Sequence, residues 1–174
     1  EYGLGNQISD AVAASRVLVV GDVGNLATTA GVVYQASFDD LTTWTVLETF
    51  DGNITAMLGR FVAITADGVV SVYESDANNS FNQVGAADLG NEANESVARF
   101  VNIGRRPELI VANATEGTSY YKYTLQDDAW SVLIDGGFGS STNTSVTSAL
   151  HYHRGIYVST VNTTDGPAIY KLTR

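Results

Sequence analysis

The sequence contains four very apolar segments, each beginning at an arginine and separated from the next by a nearly constant interval. The four arginines are Arg16, Arg60, Arg106 and Arg154, at intervals of 44, 46 and 48 residues. Near-continuous apolar runs of this length are typical of strands that are buried on both faces. A unit that recurs with such a period buries its apolar face by stacking against its neighbours. The chain is therefore predicted to consist of four packed repeats.

Each repeat is predicted to contain four strands. One strand precedes the apolar strand, a third strand carrying tyrosine follows it, and an outer strand begins with Trp or Phe. Residues 31–47 show the last two strands and their polar turn most clearly, and residues 68–84 are a weaker copy 37 residues later. Valine, threonine and tyrosine between turns rich in glycine and asparagine are typical of such strands. The predicted repeats are 8–52, 53–94, 95–138 and 139–174.

The fourth repeat ends before an outer strand could form. Residues 1–7 contain Tyr2 and Leu4, whose alternation is typical of a strand, and we expect this segment to complete the fourth sheet. Such closure would leave no sheet edge to template aggregation. The sequence thus predicts an all-β fold, a four-bladed β-propeller in one domain spanning residues 1–174. The alternative is an irregular β-sandwich, which explains the repeats less well.

The composition of the chain restricts its partners. Nine basic and 19 acidic residues give a formal net charge of −10, which repels nucleic-acid phosphates. No apolar run reaches the roughly 18 residues of a membrane-spanning helix. The absence of cysteine excludes disulfides and thiolate metal sites. Because the chain begins at Glu1 rather than methionine, we expect a processed product.

Six Asn-x-Ser/Thr triplets predict N-glycosylation. Chance would give about two such triplets in a chain of this composition. The excess indicates a secreted or cell-surface protein that carries N-linked glycans and no other cofactor. The alternative explanation is that asparagine, serine and threonine cluster because all three favour turns. The triplets begin at Asn53, Asn78, Asn94, Asn113, Asn143 and Asn162.

One turn resembles the Asp-box, or BNR, repeat of β-propellers, whose pattern is Ser-x-Asp-x-Gly-x-Thr-Trp. The matching residues are Ser37, Asp39, Thr43 and Trp44, and Leu41 replaces the glycine. The resemblance implies that the aspartate accepts backbone hydrogen bonds across the turn and that the tryptophan packs between sheets. Weaker copies contain Asp76 with Phe81 and Asp127 with Trp130.

The Asp-box resemblance implies a fold and no particular reaction. Asp-box repeats occur in sialidases and also in non-enzymatic sortilin-like receptors, and a shared fold does not transfer catalysis. Sialidases bind the substrate carboxylate with three arginines, whereas this chain offers only a weak match at residues 104–107, Gly-Arg-Arg-Pro. Four repeats also differ from the six blades of a sialidase. No catalytic residue is predicted, and a glycoside hydrolase is the least favoured function.

Three further patterns suggest chemistry that the sequence does not complete. His151 and His153 alternate on one predicted strand face, as zinc ligands can, but no third ligand is apparent. The paired acids at 39–40 and 127–128 occupy equivalent turns, which favours a structural role over general acid–base catalysis. The apolar segment after Arg106 is similar to FG-GAP repeats but lacks their calcium-binding loop. No metal site is predicted.

Two functions are predicted from these features. The favoured one is a secreted, glycosylated, non-catalytic propeller used for assembly or surface structure. Its residues 1–7 either complete the fourth sheet of the same molecule or insert into the fourth sheet of the next one, which would join subunits into extracellular filaments. The alternative is a carbohydrate-binding lectin or receptor domain, with Tyr120, Trp130 or Tyr152 stacked on sugar rings. The expected partners are further copies of the chain or other extracellular glycoproteins and glycans, with no nucleic acid.

Overall fold

The computed structural model of the chain describes residues 8–14, 17–22, 30–37, 39–103 and 106–173. Within these ranges the protein is all-β, with fifteen strands and two four-residue 3-10 turns. The strands form four sheets, and within each sheet they follow the order of the chain. The strand content confirms the predicted all-β fold, and the four-bladed propeller stays a prediction.

The strands lie close to the predicted segments. The first sheet contains β1 (Ile8–Ala14), β2 (Val17–Asp22), β3 (Ala30–Ser37) and β4 (Asp40–Asp51). The second contains β5 (Asn53–Leu58), β6 (Phe61–Ala66), β7 (Val69–Ser75) and β8 (Phe81–Gln83). The third contains β9 (Asn94–Ile103), β10 (Arg106–Asn113), β11 (Gly117–Thr124) and β12 (Ala129–Ile134). The fourth contains β13 (Asn143–Tyr152), β14 (Gly155–Asn162) and β15 (Ile169–Thr173).

The 3-10 turns precede the third and fourth sheets. They span Ala87–Gly90 and Gly136–Gly139, and the two central residues of each turn have positive φ angles. A 3-10 turn of the same backbone conformation therefore precedes both β9 and β13. The second of these segments is a glycine-rich run with no apolar periodicity, so the sequence alone does not indicate the turn.

The chain divides into two compact units, and each has its own apolar core. The first unit comprises residues 1–67 and 71–84, and the second comprises residues 68–70 and 85–174. In the first unit Val33 and Phe50 pack with Ile54, Val62 and other residues of the second sheet. The prediction of a single domain stays a prediction.

The core of the second unit joins the third and fourth sheets. Ile110 and Tyr120 pack with Val146, Ile156 and Val158. Each of these side chains is at most 6% exposed. Apolar burial on this scale is the main favourable contribution to folding.

The fourth sheet has one strand fewer than the others among the described residues. Its order is β13-β14-β15, so β15 forms an edge there. Ile169 at the start of this strand is 77% exposed. The predicted completing strand, with Tyr2 and Leu4, lies outside the described residues.

The recurring arginine belongs to the hairpin turn that precedes each apolar strand. Leu58 pairs with Phe61, Ile103 pairs with Arg106 and Tyr152 pairs with Gly155, so each turn has two residues. Arg106 is therefore the first residue of β10, and the repeat-equivalent turn arginine is the residue before it, which lies outside the described ranges. The predicted alignment on Arg106 was wrong by one position.

An ion pair occurs at one of these turns. Arg60 Nη2 lies 2.6 Å from Glu74 Oε1, and the arginine side chain is 63% exposed. This pair braces the β5–β6 turn against the end of β7. An exposed pair of this kind contributes about 1 kcal/mol or less.

Candidate functional site

Four of the six sequon asparagines form two buried pairs, which we call the asparagine brackets. Asn94 opens β9 and is paired in register with Asn113 at the end of β10. Asn143 opens β13 and is paired with Asn162 at the end of β14. In each bracket the side-chain nitrogen of the second asparagine donates to the side-chain oxygen of the first, at 3.0 Å.

The first asparagine of each bracket ties three elements together. Asn94 Nδ2 donates to the carbonyl of Asp88 at 2.7 Å and to the hydroxyl of Tyr121 at 3.0 Å. Asn143 Nδ2 donates to the carbonyl of Gly137 at 2.6 Å and to the hydroxyl of Tyr170 at 2.9 Å. Each bracket therefore fixes a 3-10 turn, the start of a sheet and the third strand of that sheet.

The second asparagine of each bracket organises the loop that follows it. Asn113 Oδ1 accepts hydrogen bonds from the backbone amides of Thr115 and Glu116, both at 3.0 Å. Asn162 Oδ1 accepts from the amides of Thr164 and Asp165, at 2.9 and 2.8 Å. These are Asx-type turns, in which a short side chain replaces a backbone acceptor.

The brackets change the meaning of four sequons. Both first asparagines are fully buried, and Asn113 and Asn162 are 5% and 7% exposed. A glycan joined to Nδ2 would replace a donor hydrogen and would need space that the packed interior lacks. We therefore reassign these four from glycan acceptors to structural residues. Asn53 and Asn78 are exposed, and their glycosylation stays a prediction.

The second sheet carries an incomplete version of the bracket. Asn53 opens β5, as Asn94 and Asn143 open their sheets, but its register partner is Thr65. The Thr65 hydroxyl is buried and has no hydrogen-bond partner within the described residues. The signal that sequence reasoning missed is the common spacing of the two complete brackets, because Asn94 and Asn113 recur after 49 residues as Asn143 and Asn162.

The β7–β8 turn is closed by a hydrogen-bonded aspartate and followed by a packed aromatic residue. Asp76 Oδ1 accepts hydrogen bonds from the backbone amides of Asn78 and Ser80, at 2.7 and 3.0 Å. Phe81 then packs against Phe50, with ring centroids 5.5 Å apart. The aspartate closes the turn and the aromatic residue packs on the neighbouring sheet.

In the β3–β4 turn the hydrogen-bonding acid is the second of the pair. Asp40 Oδ1 accepts from the amide and the hydroxyl of Thr42, at 2.9 and 2.6 Å. Hydrogen bonds from Thr42 and then Thr43 lower the pKa of Asp40 to about 2. Asp39, the aspartate that the Asp-box resemblance implies, is exposed. The backbone amide of Asp39 donates a hydrogen bond to Ser37 Oγ at 3.2 Å.

The β11–β12 turn shows the same shift by one position. Asp128, rather than the predicted Asp127, accepts from the hydroxyl of Tyr123 at 2.7 Å and from the amide of Gly85 at 2.8 Å. Both hydrogen bonds lower the pKa of Asp128, and the bond from Tyr123 has the larger effect. Paired acids made the choice ambiguous in the sequence, because the turn length decides which carboxylate faces the amides.

The predicted aromatic residues lie within or beside the sheets. Trp44 is half-buried, and its indole Nε1 is buried without a hydrogen-bond partner in the described part of the chain. Trp130 packs against Tyr123 at a centroid distance of 5.2 Å. It also lies over Gly85, where an added Cβ would be 2.5 Å from the indole ring.

Tyr120 is a core residue rather than a sugar-stacking residue. Its ring is 2% exposed, and its hydroxyl donates to the equally buried carboxylate of Glu108. Burial raises the pKa of Tyr120, so the phenol stays protonated and remains a donor. The proposed contact between Tyr120 and a sugar is therefore wrong.

The two histidines do not share a strand face. Strand β13 ends at Tyr152, and His153 lies in the following turn with a φ of +54°. The Tyr152 ring instead meets the His153 ring edge to face, at a centroid distance of 4.2 Å. Within the described residues, no three His, Asp or Glu side chains are grouped so that they could hold a metal ion.

One cavity lies beside the incomplete fourth sheet. It has a volume of about 490 Å³. Its lining includes Thr147 of β13, Ser159 of β14 and residues 167–169 at the start of β15. None of the helical segments described here is long and apolar enough to span a membrane.

Comparisons with known proteins give only distant similarity. No family model matches the chain, and no curated protein matches it. Two solved β-propeller structures are similar to it, the N-terminal domain of Nup159 and TolB from Acinetobacter baumannii. The first has 10% identity and a TM-score of 0.49, covering 95% of this chain and 47% of the other. The second has 13% identity and a TM-score of 0.48, covering 91% and 41%.

The chain therefore spans less than half of the length of either structure. Similarities of this size establish neither a shared fold nor a shared function.

Proposed function

We propose that this chain is a four-bladed β-propeller that acts as a non-catalytic, extracellular structural subunit and assembles with copies of itself. The observation that carries the proposal is the unequal number of strands. Three sheets have four strands, whereas the described part of the fourth has three and ends at β15. An unpaired edge presents a row of backbone donors and acceptors that another extended segment can satisfy.

Residues 1–7 are the proposed completing strand. Their alternation of Tyr2 and Leu4 suits a strand with one apolar face. The exposed Ile169 side chain and the cavity beside it offer an apolar surface for such a face. Insertion into the next molecule, rather than into the same one, gives a head-to-tail contact that does not close and therefore produces a filament.

Glycosylation of Asn53 and Asn78 is part of the proposal. Both asparagines are exposed, and they lie at opposite ends of the second sheet, at the start of β5 and in the β7–β8 turn. Neither asparagine belongs to the fourth sheet, where the proposed strand insertion takes place.

Deletion of residues 1–7 tests the assembly proposal. Full-length chain is expected to form regular filaments in negative-stain electron microscopy, and the deleted chain is expected to stay as discrete particles. A Tyr2→Asp, Leu4→Asp variant keeps the length of the segment and is expected to behave like the deletion, because charged side chains oppose apolar packing. Filaments that persist in both variants would overturn the proposal.

A carbohydrate-binding function is the second candidate, and the exposure of one aromatic residue favours it. Tyr152 is 58% exposed and lies next to His153 and Arg154, which are also exposed. An open aromatic ring beside polar donors is a common sugar platform. Binding on a glycan array that is lost in Tyr152→Ala would support this function, and the absence of binding by the parent chain would count against it.

A further inference from the structure

The hairpin that joins β13 to β14 ends in an exposed apolar surface, which we call the 150–154 tip. Leu150 is 61% exposed and Tyr152 is 58% exposed. Because successive side chains of a strand point to opposite faces, residues two apart share a face, and Leu150 and Tyr152 lie on the same face of β13. Large exposed apolar residues that adjoin one another mark an interaction surface more often than single scattered ones do.

The 150–154 tip carries the positive charge of Arg154. Arg154 is exposed, as are His151 and His153, and the sequence from 143 to 162 contains no acidic residue. Lys171 of β15 lies beside the turn, since its Cε is 3.0 Å from the position that a Cβ on Gly155 would take. This local excess of positive charge stands out in a chain whose net charge is −10.

The tip has a defined shape. Its two strands are paired up to Tyr152 and Gly155, so the turn contains only two residues. The edge-to-face contact between Tyr152 and His153 orders the aromatic side chain. A preformed hairpin that presents tyrosine, arginine and leucine loses little entropy on binding, and tyrosine and arginine are enriched among the residues that dominate protein interfaces.

A complementary surface exists on the same molecule, in the β3–β4 turn. Asp39 and Asp40 are exposed there, and Leu41 beside them is 42% exposed. The hydrogen bonds from Thr42 hold Asp40 in place and keep it ionised. This turn therefore combines fixed negative charge with exposed apolar surface, as the tip combines positive charge with apolar surface.

We propose that the 150–154 tip binds the Asp39–Leu41 turn of a second copy of this chain. Arg154 faces the aspartates, and Leu150 and Tyr152 pack against Leu41. The inference rests on the proposed self-association, because it names a second contact between the same subunits. It does not require residues 1–7.

Charge reversal tests the ionic part of this contact. We expect Arg154→Glu to weaken self-association by at least about fivefold in sedimentation velocity, and Arg154→Lys to retain most of it, because only the first variant reverses the charge. Asp39→Arg should weaken association similarly, and the double variant Arg154→Glu, Asp39→Arg should restore it. Loss in both single variants without restoration in the double variant would overturn the pairing.

Salt concentration and an apolar substitution test the proposed contact in two further, independent ways. Raising sodium chloride from roughly 50 to 500 mM shortens the screening length about threefold and should weaken the parent association. Leu150→Ser should weaken it at both salt concentrations. Leu133→Ser is the matched control, because Leu133 is 44% exposed on β12 and outside the proposed contact. Equal effects of the two serine variants would contradict the proposal.

Comparison with the deletion of residues 1–7 separates the two claims. If the deletion abolishes filaments and the tip variants assemble normally, the tip inference fails and the proposed function stands. If the tip variants lose association while the deleted chain still assembles, the strand-insertion mechanism fails and the tip inference stands. If neither change affects assembly, both fail.

Discussion

At the scale of single residues, one short motif has two physical meanings in this protein. The triplets at Asn94, Asn113, Asn143 and Asn162 satisfy the glycosylation rule, yet their side chains are used inside the protein. Thr115 follows Asn113 because its backbone amide and hydroxyl complete the turn. The sequence alone could not separate these uses, since burial depends on how two distant strands pair. The recurrence after 49 residues was visible and could have indicated a structural role.

Removal of a bracket asparagine should destabilise the fold. Asn143→Ala removes the hydrogen-bond partner of the Gly137 carbonyl, of the Tyr170 hydroxyl and of one side-chain N–H of Asn162. We therefore expect the free energy of unfolding, measured with urea, to fall by roughly 2 to 4 kcal/mol. Asn53→Ala is the matched control, because Asn53 also opens a sheet but is exposed, and it should change stability by less than about 0.5 kcal/mol. Similar losses in both variants would contradict the bracket assignment.

Glycopeptide mapping should separate the two classes of sequon. In material purified from its native source, we expect glycans on the peptides that contain Asn53 and Asn78, and unmodified asparagine at the four bracket positions. The reason is the difference in exposure of the side-chain nitrogens. A glycan at Asn94 or Asn143 would contradict the bracket geometry.

The Asp40 carboxylate should make stability depend on acid pH. Its pKa is lowered from 3.8 to about 2, so its stabilising effect is fully present above about pH 4 and disappears as the pH falls through about 2. Asp40→Asn should therefore be less stable than the parent at pH 5, and the difference should shrink steadily as the pH falls from about 4 towards 2, as measured by urea midpoints. Asp39→Asn is the control, since no hydrogen bond to its carboxylate occurs within the described residues. A constant difference between parent and Asp40→Asn across this range would refute the explanation.

At the scale of strands and turns, the sequence predicted most of the structure. Apolar runs such as β6 and β10, bounded by polar turns, leave few alternatives to buried strands. The errors lie in short segments where one residue decides the geometry. The alignment of Arg106, the choice between the paired acids and the 3-10 turn at Gly136–Gly139 all depend on exact turn length. Local patterns define strand positions well and turn registers poorly.

The connection that precedes the first 3-10 turn depends on a glycine. Gly85 has a φ of +69°, and an added Cβ would lie 2.5 Å from Trp130. Gly85→Ala should therefore cost both the positive-φ penalty and the clash, about 2 to 4 kcal/mol together. Gly59→Ala isolates the first cost, because Gly59 has a φ of +58° with no atom near its Cβ position, and about 1 kcal/mol is expected. Equal losses in the two variants would show that Trp130 does not pack there.

At the scale of the whole molecule, the central feature is a fourth sheet with three described strands. Three sheets have four described strands each, and the described part of the fourth has three. The sequence analysis expects residues 1–7 to supply the further strand of this sheet. Which segment completes the sheet, and from which molecule, depends on association between chains, and no residue pattern within one chain determines that.

Engineered cysteines test most directly whether residues 1–7 of one molecule lie beside β15 of the next. The test is clean because the chain contains no cysteine of its own. A variant that carries Leu4→Cys together with Lys171→Cys on β15 can form a disulfide only where the two segments lie side by side. After mild oxidation and denaturing electrophoresis, we expect a ladder of covalent multimers, with each single-cysteine variant giving no band beyond a dimer. A product that stays monomeric throughout would contradict assembly by strand insertion.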